Sequence, residues 1–325
     1  MRAPELDAGE RAALVALAPA AVVLFTRNVA AREQLAALVA ELRALPSHPA
    51  VAVDLEGGRV HRLAGLVGSL PSARAAAAGG AEAVAALGDA AACACAHFGI
   101  TIDFAPVVDV AHCDGFLGGE DRCFGADRET VATLAGVFLA ALEARGVSGC
   151  LKHFPGLGSG SVDSHRQLPE LSACVVEDAA VFARLASPVR AIMVAHAIAP
   201  SLGDVLRPAS LSRRVIGMLR GSARGPVIAD DLEMGALGEF GSLGERAAAA
   251  LGAGCDQVLL CNALDARHEV VEHVRAAAAT DPTLAARLRS SRQRCVAFGA
   301  VAPPAVAWDE VERAAERARS LAGRS

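Results

Sequence analysis

A chain of 325 residues with 53% hydrophobic and 21% charged side chains can bury a large core, either as one barrel-sized α/β domain or as two smaller ones. Its net charge of −5, with no basic block, argues against nucleic acid as the main partner, and no apolar run reaches bilayer length, so no membrane association is expected. The first apolar run, residues 18–25, follows Glu5, Asp7 and Glu10 rather than a basic stretch, so no secretory leader is expected either.

In chain order, a helical pattern near 11–18 leads into a strand at 21–25. Thr26-Arg27-Asn28 ends that strand, with Asn28 placed to cap a helix. The next helix sets Leu35, Leu38, Val39 and Leu42 on one face before Pro46 breaks it. A strand at 51–53 delivers Asp54 and Glu56, then a Gly57-Gly58 turn, then Arg59 and Arg62. An alanine-rich helix over about 81–97 follows, and a third strand at 102–108 ends in Asp109. Its loop carries Asp114, Glu120, Asp121 and Arg122, and the helix over about 129–145 stops at Gly146.

The fourth strand, 149–151, presents Lys152 and His153 together at its end. A Phe-Pro-Gly corner and a small-residue loop, 158–161, then deliver Asp163, Ser164 and His165. A loop so poor in apolar side chains adds little to a core, so its ionisable groups call for a chemical explanation. Strands at 191–194, 226–229 and 257–260 lead to His196, to Asp230 and Asp231, and to Cys261 and Asn262. Between them lie helices capped by Ser212 and Ser242, and Glu233 and Met234 read as a helix's first turn. Helical stretches at about 282–298 and 306–322 close the chain.

Seven short apolar strands alternating with helices make a parallel sheet with crossover helices. An open doubly wound sheet and a closed (β/α)8 barrel both fit that pattern. Polar residues end six of the strands, spread along the whole chain, which favours the barrel, where every strand end meets one mouth. The eighth strand has no clear sequence signal. Nine scattered cysteines without a CxxC pair read as buried free thiols in a reducing compartment, with zinc ligation the weaker alternative.

Such a mouth would hold Asp54, Asp109, Lys152, His153, His196 and Asp230, with Arg62, Arg122, Asp163 and His165 on loops. Retaining glycoside hydrolysis would use Asp230 as nucleophile and His165 as acid and base, with Asp163 orienting the imidazole. Taken alone, Asp163-Ser164-His165 is more simply a solvated Asx turn. A catalytic metal is not expected, because the histidines come one per element. Serine chemistry lacks a G-x-S-x-G elbow, and the glycine-serine loop lacks the lysine of a phosphate cradle. His196 could equally be a satisfied core histidine, and a non-catalytic sugar-binding protein would use the same polar set.

These blocks together resemble glycoside hydrolase family 3, in particular its single-domain bacterial β-N-acetylhexosaminidases. The resemblance rests on residues 24–28, on Asp54-Leu55-Glu56-Gly57-Gly58-Arg59-Val60 with Arg62, on 104–110, and on Arg122-Cys123-Phe124-Gly125. It continues through Lys152-His153-Phe154-Pro155-Gly156, Asp163-Ser164-His165, 194–196, 229–234 and 254–256. It implies a TIM-barrel-like fold, a single catalytic domain over 1–325 without the extra domain of larger relatives, and cytoplasmic recycling of peptidoglycan fragments. It implies Asp230 as nucleophile, His165 as acid/base on a mobile loop with Asp163 as partner, and Asp54, Arg62, Arg122, Lys152 and His153 as the sugar-binding set, with no metal or cofactor. Leu157, Cys123 and Ala229 depart from the usual motif residues, Leu157 standing where a second histidine is common. Without tyrosine and with Trp308 alone, the chain lacks the aromatic platforms of polysaccharide clefts, so a small carbohydrate with one terminal sugar captured is the expected substrate. A β-glucosidase, or a phosphorylase in which phosphate replaces water, remains an alternative within the class.

Overall fold

The computed structural model describes residues 1–323. Its strands are β1 (Ala21–Leu24), β2 (Ala50–Val53), β3 (Leu55–Gly57), β4 (Val60–His61), β5 (Ile102–Asp103), β6 (Ser148–Phe154), β7 (Ala191–Val194), β8 (Val227–Asp231) and β9 (Gln257–Leu259). Seven form one sheet in the order β1-β2-β5-β6-β7-β8-β9, and β3-β4 is a separate antiparallel hairpin. The pairs β1–β2, β2–β5, β5–β6, β7–β8 and β8–β9 are parallel, and the strand order follows the chain without the reversal that defines a doubly wound sheet. The fold is therefore α/β and TIM-barrel-like, with one strand fewer than eight among the described residues.

Some elements differ from their sequence signals. The third strand runs only over Ile102–Asp103, because Pro106 has no N–H to continue the ladder. The backbone nevertheless stays within reach of its neighbours, Phe104 donating to the Val53 carbonyl and Cys150 to that of Ala105. The fourth strand is longer than expected and takes in Lys152 and His153. The helix Arg267–Thr280 has one buried residue, Val270, so its apolar face is too faint to read. Asn28 does not cap the helix that follows, Arg32–Arg43, where Ala31 holds that position; fully buried, it accepts from the Phe25 N–H at the start of the 3-10 segment Thr26–Asn28 and donates to the Ala3 carbonyl. Glu233 and Met234 start no helix, since a turn and the short 3-10 segment Gly235–Leu237 follow β8.

Two compact units emerge, each described by itself. The first comprises Met1–Val107, Glu120–Cys150 and residues 299–323. Helix Gly80–Phe98 buries seven alanines together with Gly88, and these small side chains let it lie close to helix Arg128–Ala144. At Gly88 an added Cβ would stand 2.8 Å from the Phe138 carbonyl oxygen, so glycine sets that approach. Trp308 opens the last helix, half-buried, with the Arg32 guanidinium 4.8 Å above its ring and the His97 ring 5.1 Å away.

The second unit comprises Val108–Gly119 and Leu151–Phe298. Ser212 and Ser242 cap their helices as expected, and Ser242 shares a reciprocal box with Glu245. Asp256 is this unit's buried ionic centre. One carboxylate oxygen accepts from Ser291 and Arg294, the other from Arg220 and the Val227 N–H. Those contacts outweigh burial, which alone would raise the group, and hold Asp256 below the usual carboxylate range.

Candidate active site

In the first unit, the Gly57-Gly58 turn takes positive φ values of 88° and 56°, folding β3 back on β4. That hairpin returns Arg62 to Asp54, with its N–H donating to the Asp54 carbonyl and its Nε 3.7 Å from the Asp54 carboxylate. Buried Glu56 grips Arg122 through two parallel bonds of 2.9 Å, from Nε and from one terminal nitrogen. The planar guanidinium is thereby fixed in orientation.

In the second unit, Asp109 organises the start of the central motif. Fully buried, it accepts the His153 N–H on both oxygens at 3.1 Å and the Leu157 N–H at 2.6 Å, and the His153 Nδ1 lies 2.8 Å from it. A carboxylate on Nδ1 keeps the proton there and fixes which ring nitrogen is left for other work. Lys152 precedes it on β6, 2% exposed.

The loop then passes through a backbone interlock. A Cβ on Gly158 would stand 1.8 Å from the Val110 carbonyl oxygen, and one on Gly115 would stand 1.9 Å from that of Gly158. Neither position accepts a larger residue without moving backbone. Beyond the interlock, Asp163 accepts from the His165 N–H at 3.0 Å and pairs with the His165 Nδ1 at 2.9 Å. The imidazole is otherwise open to solvent, its side chain 70% exposed. Burial would raise the Asp163 carboxyl, but the His165 N–H and ring outweigh it and hold the group below its ordinary value.

That loop rests on the chain just past β8. Gly235 donates to the His165 carbonyl at 2.9 Å and Ala236 to that of Ser164 at 3.3 Å. At the end of β8 stands Asp230. Burial pushes its carboxyl up, but the His153 and His196 rings, the Asp231 N–H and His165 prevail and keep it below the usual carboxylate range. Its neighbour Asp231 is pushed the other way, to about 6, by burial and by Glu233. Adjacent carboxyls thus differ in charge state at mildly acidic pH, with Asp230 the anion. His196 is a satisfied buried histidine, bonded to the Ser210 hydroxyl at 2.7 Å and the Asp231 carbonyl at 3.0 Å, and burial pushes its imidazole down. The Glu233 carboxylate accepts the N–H groups of Asn262 and Ala263 and so ties the end of β8 to the loop after β9.

Asp163 and His165 are thus brought together, and their loop is held against the segment that follows Asp230. Asp54 meets Arg62, while Arg122 meets Glu56. The positioning roles of Asp109 and Glu56 escaped sequence reasoning. Each was visible as an acid after an apolar run, but nothing local names its partner.

A carboxylate held anionic at a strand end, with an imidazole borne on a loop nearby, is equipment suited to hydrolysing glycosidic bonds. Residues 4–295 match the glycosyl hydrolase family 3 N terminal domain, and the chain belongs to that family of glycoside hydrolases. A beta-hexosaminidase of Pseudomonas aeruginosa is 38% identical over 250 residues, covering 74% of each chain. The β-N-acetylhexosaminidase of Beutenbergia cavernae superposes with a TM-score of 0.81 at 29% identity, covering 93% of this chain and 95% of that one. NagZ from Neisseria gonorrhoeae, in complex with N-trifluoroacetyl-D-glucosamine, gives 0.77 at 29% identity over 99% and 96%. A family 3 β-N-acetylglucosaminidase from Paenibacillus reaches 0.84 at 28% identity and covers 99% of this chain, which spans 66% of it.

Proposed function

We propose that the protein is a retaining exo-β-N-acetylglucosaminidase acting on small glycosides such as peptidoglycan fragments, in the cytoplasm, with 1–325 as one catalytic domain. The observation that carries this reading is the anionic Asp230 beside the backbone-anchored loop that bears His165 and Asp163. The names of the relatives, and the glucosamine analogue bound to the Neisseria protein, support an N-acetylated sugar as substrate. The scarcity of aromatic residues favours one terminal sugar over a long chain. Asp54, Arg62, Arg122, Lys152 and His153 serve to bind it.

In the first step an Asp230 oxygen attacks the anomeric carbon while the bond to the leaving oxygen breaks. The His165 imidazolium gives that oxygen its proton, and Asp163 on Nδ1 stabilises the charged ring beforehand. In the second step water attacks the anomeric carbon, neutral His165 takes its proton, and the bond to Asp230 breaks. No helix of the described residues is long and apolar enough to cross a membrane.

Kinetics on paired aryl N-acetylglucosaminides and aryl glucosides, with and without phosphate, test this reading. Asp230→Asn should lose at least about 10³-fold in kcat with the fold intact. His165→Ala should slow substrates with poor leaving groups far more than activated ones. Wild-type rates in Asp230→Asn would refute the nucleophile, equal losses on both leaving groups would refute the acid, and a preference for glucosides or phosphate would refute the substrate and acceptor.

A further inference from the structure

Away from those residues, three unlike ligand types converge. His112 lies in the segment after Asp109, Cys174 immediately precedes helix Val175–Leu185, and Asp178 sits in that helix's first turn. The His112 Nε2 is 2.8 Å from an Asp178 oxygen and 3.4 Å from the Cys174 sulfur, and the three donor atoms all lie within 4.8 Å of one another. Cys174 and Asp178 are four apart, hence on one helix face. The Ser172 hydroxyl, 2.8 Å from the sulfur, steadies it.

We propose that His112, Cys174 and Asp178 form a binding site for a divalent metal ion of the zinc class, with water as the fourth ligand. Bond lengths of about 2.0–2.3 Å around a tetrahedral ion set neighbouring ligand atoms about 3.3–3.6 Å apart. The present spacing brackets that range, so small side-chain rotations would close the cage. Thiolate, imidazole and carboxylate together suit zinc and its borderline neighbours, whereas magnesium and calcium prefer oxygen alone.

The site's place gives it a use. Asp178 packs against the Phe-Pro-Gly corner: a Cβ on Gly156 would stand 2.9 Å from its own Cβ. The Ser172 N–H donates to the Ser159 hydroxyl, closing the loop that carries Asp163 and His165. A bound ion would pin both ends of that loop's base without taking part in bond cleavage.

The test uses the full chain after chelator treatment, titrated with Co²⁺ as a spectroscopic probe and then with Zn²⁺. The expected result is a thiolate-to-cobalt charge-transfer band that saturates at one ion per chain and is displaced by Zn²⁺. Cys174→Ser should abolish the band, and Cys113→Ser, which alters the exposed neighbouring thiol, should keep it. His112→Gln, on a half-exposed loop residue whose loss should spare the fold, should weaken Zn²⁺ binding at least about tenfold. No band at one equivalent, a band that survives Cys174→Ser, or unchanged Zn²⁺ affinity in His112→Gln would overturn the proposal. These readouts are independent of glycosidase activity.

Discussion

Asp109 shows how much one carboxylate can organise. It accepts two backbone N–H groups and faces one ring nitrogen, all from the motif that begins at Lys152. Asp109→Asn would turn an N–H pair toward groups that themselves donate. It should cost about 1–3 kcal/mol in urea denaturation and lower kcat/KM, because His153 and the loop lose their shared anchor. Unchanged stability together with unchanged kcat/KM would contradict that role. The ionisable residues themselves were legible in the sequence, as charges following apolar runs. Their partners were not, since Asp109 with His153, or Glu56 with Arg122, are separated by 44 and 66 residues. His196 is the instructive case: the sequence left its role open, and two hydrogen bonds make it a satisfied buried ring.

Among elements, the loop from Gly156 to Asp163 depends most on backbone fit. Gly158→Ala would drive a methyl into the Val110 carbonyl, and rigid backbone on both sides leaves the loop itself to move. The expected cost is about 1–3 kcal/mol of stability. If the displacement reaches about 1 Å at His165, kcat/KM should fall by about 10²-fold. A fully active, fully stable Gly158→Ala would contradict the interlock. Period and punctuation made most elements readable: the Leu35, Leu38, Val39 and Leu42 face is buried throughout. Where they failed, a physical cause is visible. Pro106 cuts short an apolar run that otherwise reads as a strand, and helix Arg267–Thr280 buries too little to show a face.

Across the whole molecule, two carboxyls shape stability against pH in opposite senses. Asp256 has a native pKa below its unfolded value, so its contacts with Arg220 and Arg294 stabilise above about pH 4 and fade as pH falls through the native pKa. Asp256→Asn should therefore cost about 3–5 kcal/mol at pH 7, and that cost should shrink below pH 4. Asp231 is raised from 3.8 to about 6, so the native state holds its proton more tightly and loses stability as pH climbs through that interval. Asp231→Asn should flatten the decline. Urea denaturation from pH 3 to 8 checks both, and curves parallel to wild type would refute both. The α/β alternation and chain-ordered sheet followed from the sequence, whereas these ionic balances arise only where folding gathers distant groups.

With no tyrosine and a single indole, the protein has one intrinsic fluorophore, and Trp308 belongs wholly to the first compact unit. Its emission therefore watches the helices around Phe98 and Arg32. Followed beside far-ultraviolet circular dichroism, which averages over every helix, that lone signal becomes a built-in gauge of whether the two units melt in one event or two.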